Sequence, residues 1–207
     1  MKISYAIPVK DELHQIQHLI THLLDNKRSE DEIVVLYDSK NGHEYVEEYL
    51  RSHSVNSEYM WYERPFEGSF ADQKNYLNSM CNGDWIFQID ADEVPDEHLL
   101  EVLPGILVEN EATDLLWVPR VNIVKGITPH HIRKWGWIQD DQGRVNFPDF
   151  QSRIYRNKDS IQWTNHVHER IIGAASYAFL PTETEYSLFH AKDINRQERQ
   201  NEFYNTL

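Results

Sequence analysis

The apolar run Trp85-Ile86-Phe87-Gln88-Ile89 ends in Asp90-Ala91-Asp92-Glu93, three carboxylates within four residues. In an open α/β sheet, ligands gather at the carboxyl ends of the strands, so these acids face the expected site. A carboxylate repels phosphate, and the two come together productively only across a divalent cation. Hard oxygen ligands suit Mg²⁺ or Mn²⁺, either of which can neutralise the charge that develops on a leaving diphosphate. Further along, His166-Val167-His168-Glu169 supplies a carboxylate, Glu169, able to take the proton of an attacking hydroxyl. If that stretch is a strand, His166 and His168 share one face of it. A bare Asp-x-Asp is more often a solvated turn leading into a helix, and a lone glutamate more often a salt-bridge partner. The elements around these residues decide between the two readings.

Those elements alternate. An apolar strand from Lys2 to Val9 precedes Leu13, Ile16, Leu19, Ile20, Leu23 and Leu24 at helical spacing, with Asp11 placed to cap the helix. A second strand, Glu32 to Tyr37, runs into the turn-forming Asp38-Ser39-Lys40-Asn41-Gly42, and a weaker helix covers His43 to His53. Glu58 to Tyr62 reads as a short strand. Ser69 to Cys81 reads as a capped helix with Phe70, Leu77 and Met80 inward, and Asp84 to Ile89 as a fully buried strand. Asp96 caps a helix through Leu107, and Asp114 to Ile123 resumes strand character. Lys125 to Asp149 has no clear periodicity and predicts a substrate-facing loop region. Phe150 to Arg156 and Val167 to Ile172 are strand-like, and the tail from Asp193 is helix-forming. The βαβ rhythm predicts a doubly wound α/β domain with a mixed, mostly parallel sheet. The 207 residues fit one domain, with a donor half at 1–95 and an acceptor half at 96–207 that ends in a helix.

Composition narrows the partners. A formal net charge of -14 disfavours nucleic acid and anionic membranes at long range. No apolar run is long enough to span a bilayer, and no signal-peptide pattern follows Met1-Lys2. With Cys81 as the only cysteine, no internal disulfide can form, which fits a reducing cytosol.

Four blocks in order, Ile7-Pro8-Val9-Lys10-Asp11-Glu12, Val35-Leu36-Tyr37-Asp38-Ser39, Phe70-Ala71-Asp72-Gln73-Lys74-Asn75 and Gly83 to Glu93, resemble family 2 glycosyltransferases of the Rossmann-like GT-A fold. The likeness continues into Arg153-Ile154-Tyr155-Arg156 and Val167-His168-Glu169, as in the branch related to lipopolysaccharide-core glucosyltransferases. It implies transfer of a sugar from a nucleotide-diphospho-sugar, expected to be a UDP-sugar, to an acceptor hydroxyl on a glycan or lipopolysaccharide-type molecule in the bacterial cytosol. By resemblance, Pro8, Lys10, Glu12 and Asp38 hold the nucleoside, Lys74 lies near the donor, Asp90 and Ala91 face it, and Asp92 binds metal. A later histidine, matched by His190, completes the metal shell, and Glu169 stands beside the acceptor. Two departures are Tyr37-Asp38-Ser39-Lys40 in place of an acidic pair, and Lys74 where arginine is frequent, a point charge instead of a planar fork.

With Glu169 as base, a single in-line displacement inverts the anomeric configuration; the alternative is a retaining route. Trp135 and Trp137 flank Gly136 and, with His168, are the expected acceptor contacts, because aromatic faces stack on sugars or bases. Any single ring here is more often core. His130, His131, Arg133 and Lys134 add local positive charge. Gly126 to Tyr155 also resembles small bacteriophage glycosyltransferases, whose acceptors include hydroxymethylated DNA bases in a phage-infected host cytosol. Two other classes compete. A non-catalytic glycan-binding module has no need of Asp90, Asp92, Lys74, Glu169 and His190 as a set, and nucleotidyltransferases open with a glycine-rich loop, whereas Ile7 to Glu12 contains no glycine.

Overall fold

The computed structural model describes residues 1–53 and 59–198. β1 (Ile3–Val9) and β2 (Glu32–Asp38) are buried on both faces, as parallel strands between helix layers must be. Their alternation sorts the core into two layers. Ile3, Tyr5, Ile7 and Val9 pack with α1 (Leu13–Asn26), α2 (Glu44–His53) and α4 (Glu97–Glu109). Ala6, Val34 and Leu36 face α3 (Phe70–Ser79) and Trp163 on the other side. α1 buries Ile16, Leu19, Ile20 and Leu23, the one-stripe pattern of an amphipathic helix.

The large sheet adds β3 (Tyr59–Arg64), β4 (Trp85–Gln88), β6 (Leu115–Val118), β9 (Gln151–Arg156) and β12 (Tyr177–Phe179) in the order β12-β6-β9-β4-β1-β2-β3. β1 pairs in parallel with β2 and β4, and β2 with β3, while β9 runs antiparallel to β4 and β6. The sheet is therefore mixed and mostly parallel, as expected. Because β2 and β3 lie to one side of β1 and β4 to the other, the crevice between the ends of β1 and β4 is a topological switch point.

A second sheet of four strands, β5 (Glu93–Pro95), β13 (Leu188–Asp193), β7 (Arg120–Lys125) and β8 (Arg144–Val145), abuts that crevice. It arises where the predicted strand Asp114 to Ile123 divides. Pro119 has no N–H to give to a ladder, so β6 stays in the large sheet and β7 enters the small one. β10 (Gln162–Thr164) and β11 (Arg170–Ile172) form a hairpin against α3.

Four further expectations change. Glu12, not Asp11, is the residue before α1, and its side chain makes no cap bond to the helix. On α3 only Leu77 of the three expected apolar residues is buried; Phe70 and Met80 are half-buried, and Gln73 and Lys74 are buried instead. The region 125–149 contains β8 and also α5 (Pro129–Trp135), a helix with no buried residue, so no apolar periodicity announced it. Its ends are held by a Thr128 capping box with His131 and by the left-handed Gly136. The strand expected from Val167 begins at Arg170: Asn165 and His168 have φ of 75° and 53°, so His166 to His168 form a turn and do not share a strand face. Glu58 lies outside the described residues, as does the C-terminal helix beyond 194–198, which are helical. Among the described residues no helix is long and apolar enough to cross a membrane.

Gly173 ends the β10–β11 hairpin with φ of 83°, and a Cβ there would lie 1.7 Å from the Ser160 carbonyl oxygen. Gly173→Ala is expected to cost about 2 kcal/mol or more, since both the backbone and the contact oppose it. Urea denaturation of the two proteins measures this.

Candidate active site

At the switch point a cleft of about 1270 Å³ opens. Pro8, Lys10 and Glu12 reach it from the end of β1, Asp38 from the end of β2, and Asp90, Ala91 and Asp92 from the turn after β4. Lys74 of α3, Trp137, His168, Glu169 and His190 of β13 line it as well. Twelve of the thirteen sequence-predicted positions thus meet in one cavity. Trp135 stands behind, stacked on His131 at 5.2 Å and tilted against Trp137 at 4.7 Å between ring centres.

The acids after β4 separate by direction. Glu93 turns away from the cleft and is fully buried, where it accepts from Arg120 at 2.8 Å and Arg153 at 2.7 Å. Sequence position alone had grouped it with its neighbours. Asp90 pairs with the same Arg153 and accepts from Gln88 at 2.8 Å. Burial pushes the Asp90 carboxyl up, but the Arg153 and Lys74 charges outweigh it and hold the group well below the usual carboxylate range. Arg120 continues to Asp149 through Nε and Nη2, and Asn122 and Gln151 also donate to that carboxylate. Asp90, Arg153, Glu93, Arg120 and Asp149 therefore alternate in sign from one wall of the cleft to the other.

Asp92 faces His190 across 3.4 Å. Burial raises its pKa, yet the hydrogen bond and charge of His190 outweigh that and bring it down to about 2. His190 stands opposite Glu93 and Asn122 in the small sheet, and its Nδ1 lies 2.8 Å from Asn122 Oδ1, which fixes the ring with Nε2 toward Asp92. Among the described residues no group of three His, Cys, Asp or Glu side chains could hold a metal, so Asp92 and His190 stand as a pair. Two protein groups fit a cation that takes its other ligands from phosphate and water.

Two predicted nucleoside contacts also shape backbone. Asp38 accepts from the N–H groups of Lys40, Asn41 and Phe66 and from the Asn41 amide, which tie the loop after β2 to the segment before α3. Those bonds outweigh burial and lower its pKa. Glu12 Oε2 accepts from the N–H of Lys10 and Asp11, and Oε1 from Arg196 at 2.7 Å.

Glu169 follows the 165–168 turn, which docks on α3 where Phe70 N–H donates to the His166 carbonyl at 3.1 Å. The docking sets Glu169 3.0 Å from Lys74 Nζ, which lies 4.4 Å from the Trp163 ring centre. Arg120, Arg153, Asp149, Asn122, Lys192 and Arg196 line the cleft without having been expected there. A signal existed for two of them: Arg120, next to Val121, and Arg153, next to Ile154, are charges directly beside apolar strand residues, a position that points to a buried partner.

A doubly wound sheet with carboxylates at its switch point defines a GT-A-type α/β fold. The chain belongs to Glycosyl transferase family 2, whose profile matches residues 4–182. No curated protein matches it in sequence. In structure it is similar to S. aureus TarS 1–349, with 14% identity, a TM-score of 0.66, and coverage of 92% of this chain and 60% of that one. The crystal structure of the same TarS segment in complex with UDP-GlcNAc matches with 15% identity, a TM-score of 0.66, and coverage of 93% and 59%. The chain thus spans about three-fifths of that segment.

Removing Arg153 takes the guanidinium from Asp90 and leaves buried Glu93 with Arg120 alone. Arg153→Met is expected to destabilise the chain by about 3–5 kcal/mol, the usual result of breaking a buried pair on one side. The shift of the urea midpoint at constant slope reads it out.

Proposed function

We propose that this chain transfers a sugar from a UDP-sugar to an acceptor hydroxyl with inversion, using Mn²⁺ or Mg²⁺. The observation that carries the reading is the meeting, in one cleft, of the Asp92–His190 pair and the Lys74–Glu169 pair. The first suits a metal diphosphate, the second a proton transfer. UDP is favoured as carrier because the structurally similar TarS is described in complex with UDP-GlcNAc and with UDP. Residues 1–95 form the donor half in this reading, and 96–207 the acceptor half.

Pro8, Lys10, Glu12, Asp38, Asp90 and Ala91 receive the nucleoside and its ribose at the β1–β4 crevice. Asp92 and His190 would hold the cation, which would supply positive charge against the leaving diphosphate. Lys74 fixes the Glu169 carboxylate at the cleft wall, and Glu169 takes the proton of the acceptor hydroxyl as that oxygen attacks the sugar carbon from the face opposite the diphosphate. Trp137, backed by Trp135, offers a ring face to the acceptor, and His168 a hydrogen bond. Hydroxyls of a glycan or lipopolysaccharide-type molecule are the acceptors proposed, in keeping with a cytosolic enzyme.

A panel of UDP-, GDP- and CMP-sugars with Mn²⁺ tests the donor, and no hydrolysis or binding of any of them sinks the reading. DNA carrying hydroxymethylated bases, run beside glycan acceptors, tests the acceptor. Asp92→Ala is expected to abolish metal-dependent turnover, measured as UDP release with and without Mn²⁺. Glu169→Gln is expected to leave UDP affinity within about twofold while transfer falls by about 10²–10⁴-fold, the range for loss of a general base. Full transfer in that variant removes Glu169 from the role.

A further inference from the structure

β13 supplies His190 and then leads into the helical residues 194–198, which place a second cation against the same acid. Arg196 Nη2 stands 2.7 Å from Glu12 Oε1 and 3.6 Å from Asp92 Oδ2, the oxygen that His190 also faces. All three side chains are partly buried: Arg196 is 33% exposed, Glu12 17% and Asp92 16%. Two carboxylates brought together out of water repel, and Arg196 lies between them as a shared counter-charge.

We propose that Arg196 is a donor-diphosphate-binding residue whose guanidinium, paired with Glu12 and Asp92, holds the place of the metal's charge until the donor binds. The inference rests on the metal and nucleotide-sugar reading above.

The geometry gives the argument its direction. A divalent cation bound to Asp92 Oδ2 sits about 2.1 Å from that oxygen. With Arg196 Nη2 at 3.6 Å from the same atom, ion and guanidinium come within about 6 Å of each other on any approach. Both cations would then draw on the one Asp92 carboxylate, and they repel each other unless further anionic charge joins them. When metal enters alone, Arg196 opposes it. When a diphosphate accompanies the metal, the guanidinium exchanges two carboxylates for phosphate oxygens, which its planar fork binds by paired N–H donors. Arg196 and its neighbour Gln197 line the cleft, so the exchange needs a change of side-chain partner and no travel across the protein. Gly126 makes room for the segment: a Cβ there would lie 3.0 Å from the Ile194 Cγ2.

Opposite signs for the two ligands separate this role from a structural one. Calorimetric titration of the full chain with MnCl₂ alone, and then with UDP at saturating Mn²⁺, reads both affinities. Arg196→Ala is expected to bind Mn²⁺ alone about three- to tenfold more tightly and UDP about tenfold more weakly, the second figure being the loss of one charge-assisted phosphate contact. Arg196→Lys, which keeps the charge and loses the fork, is expected to retain wild-type Mn²⁺ affinity while UDP weakens by a few-fold. A fall in both affinities in Arg196→Ala, or an unchanged Mn²⁺ affinity, overturns the assignment. If the wild-type chain binds neither Mn²⁺ nor UDP, the metal and nucleotide reading fails first, and the role of Arg196 with it.

Discussion

The structure around the cleft depends on one buried carboxylate. Glu93 is fully inaccessible to solvent, and a lone charge there costs several kcal/mol. Two guanidiniums offset that cost, Arg120 from the small sheet and Arg153 from the large one. Because Glu93 belongs to β5 of the small sheet, its bond to Arg153 fastens the two sheets at the point where they meet. Each arginine then has donors left over, and these reach Asp90 on one wall of the cleft and Asp149 on the other. The spacing of two acids on opposite walls is thereby set by a charge that does not itself line the cleft.

The same economy appears in β13. Its register places His190 beside Asn122 of β7 on one side and Glu93 of β5 on the other, so the ring that faces Asp92 is fixed by a strand whose neighbours hold the buried network. α3 does the corresponding work on the opposite wall. Its buried face includes Gln73 and Lys74 because that face looks into the cleft, and the 165–168 turn docks on its first residue. The groups proposed for donor and acceptor thus hang from two rigid supports, a sheet and a helix, which suits chemistry that needs fixed distances.

The doubly wound half was legible because its signals are local. Period-2 and period-3.6 apolar patterns, Ser69 and Asp96 at helix starts, and a turn after β2 all act within a few residues. The acids at the ends of β1, β2 and β4 followed from strand position and from resemblance together. What escaped was non-local or unpatterned. α5 buries nothing, so its caps alone mark it. The 165–168 turn uses left-handed asparagine and histidine, the non-glycine types that adopt it most readily, but the apparent alternation His166-Val167-His168 masked that signal. Glu93 looked like Asp90 and Asp92 because a peptide turn sends neighbouring side chains in different directions, and only the position of two arginines 27 and 60 residues later decides which one goes inward.

In the proposed reading, charge favours a cation and a diphosphate entering this cleft together. The whole chain carries a formal -14, yet the described residues lining the cleft include seven lysines and arginines and seven aspartates and glutamates. The cavity is close to neutral inside an acidic protein, so the surrounding field disfavours an anionic donor arriving alone. A divalent ion arriving alone meets acids already matched by Arg153, Arg196 and Lys74. A nucleotide-sugar carries about two negative charges on its diphosphate, and one Mn²⁺ or Mg²⁺ cancels them. Entering as a pair they leave the balance of the cleft unchanged, and each supplies what the other lacks. On that reading, specificity for the metal–nucleotide complex over either part would follow from the matched charges that line the cleft.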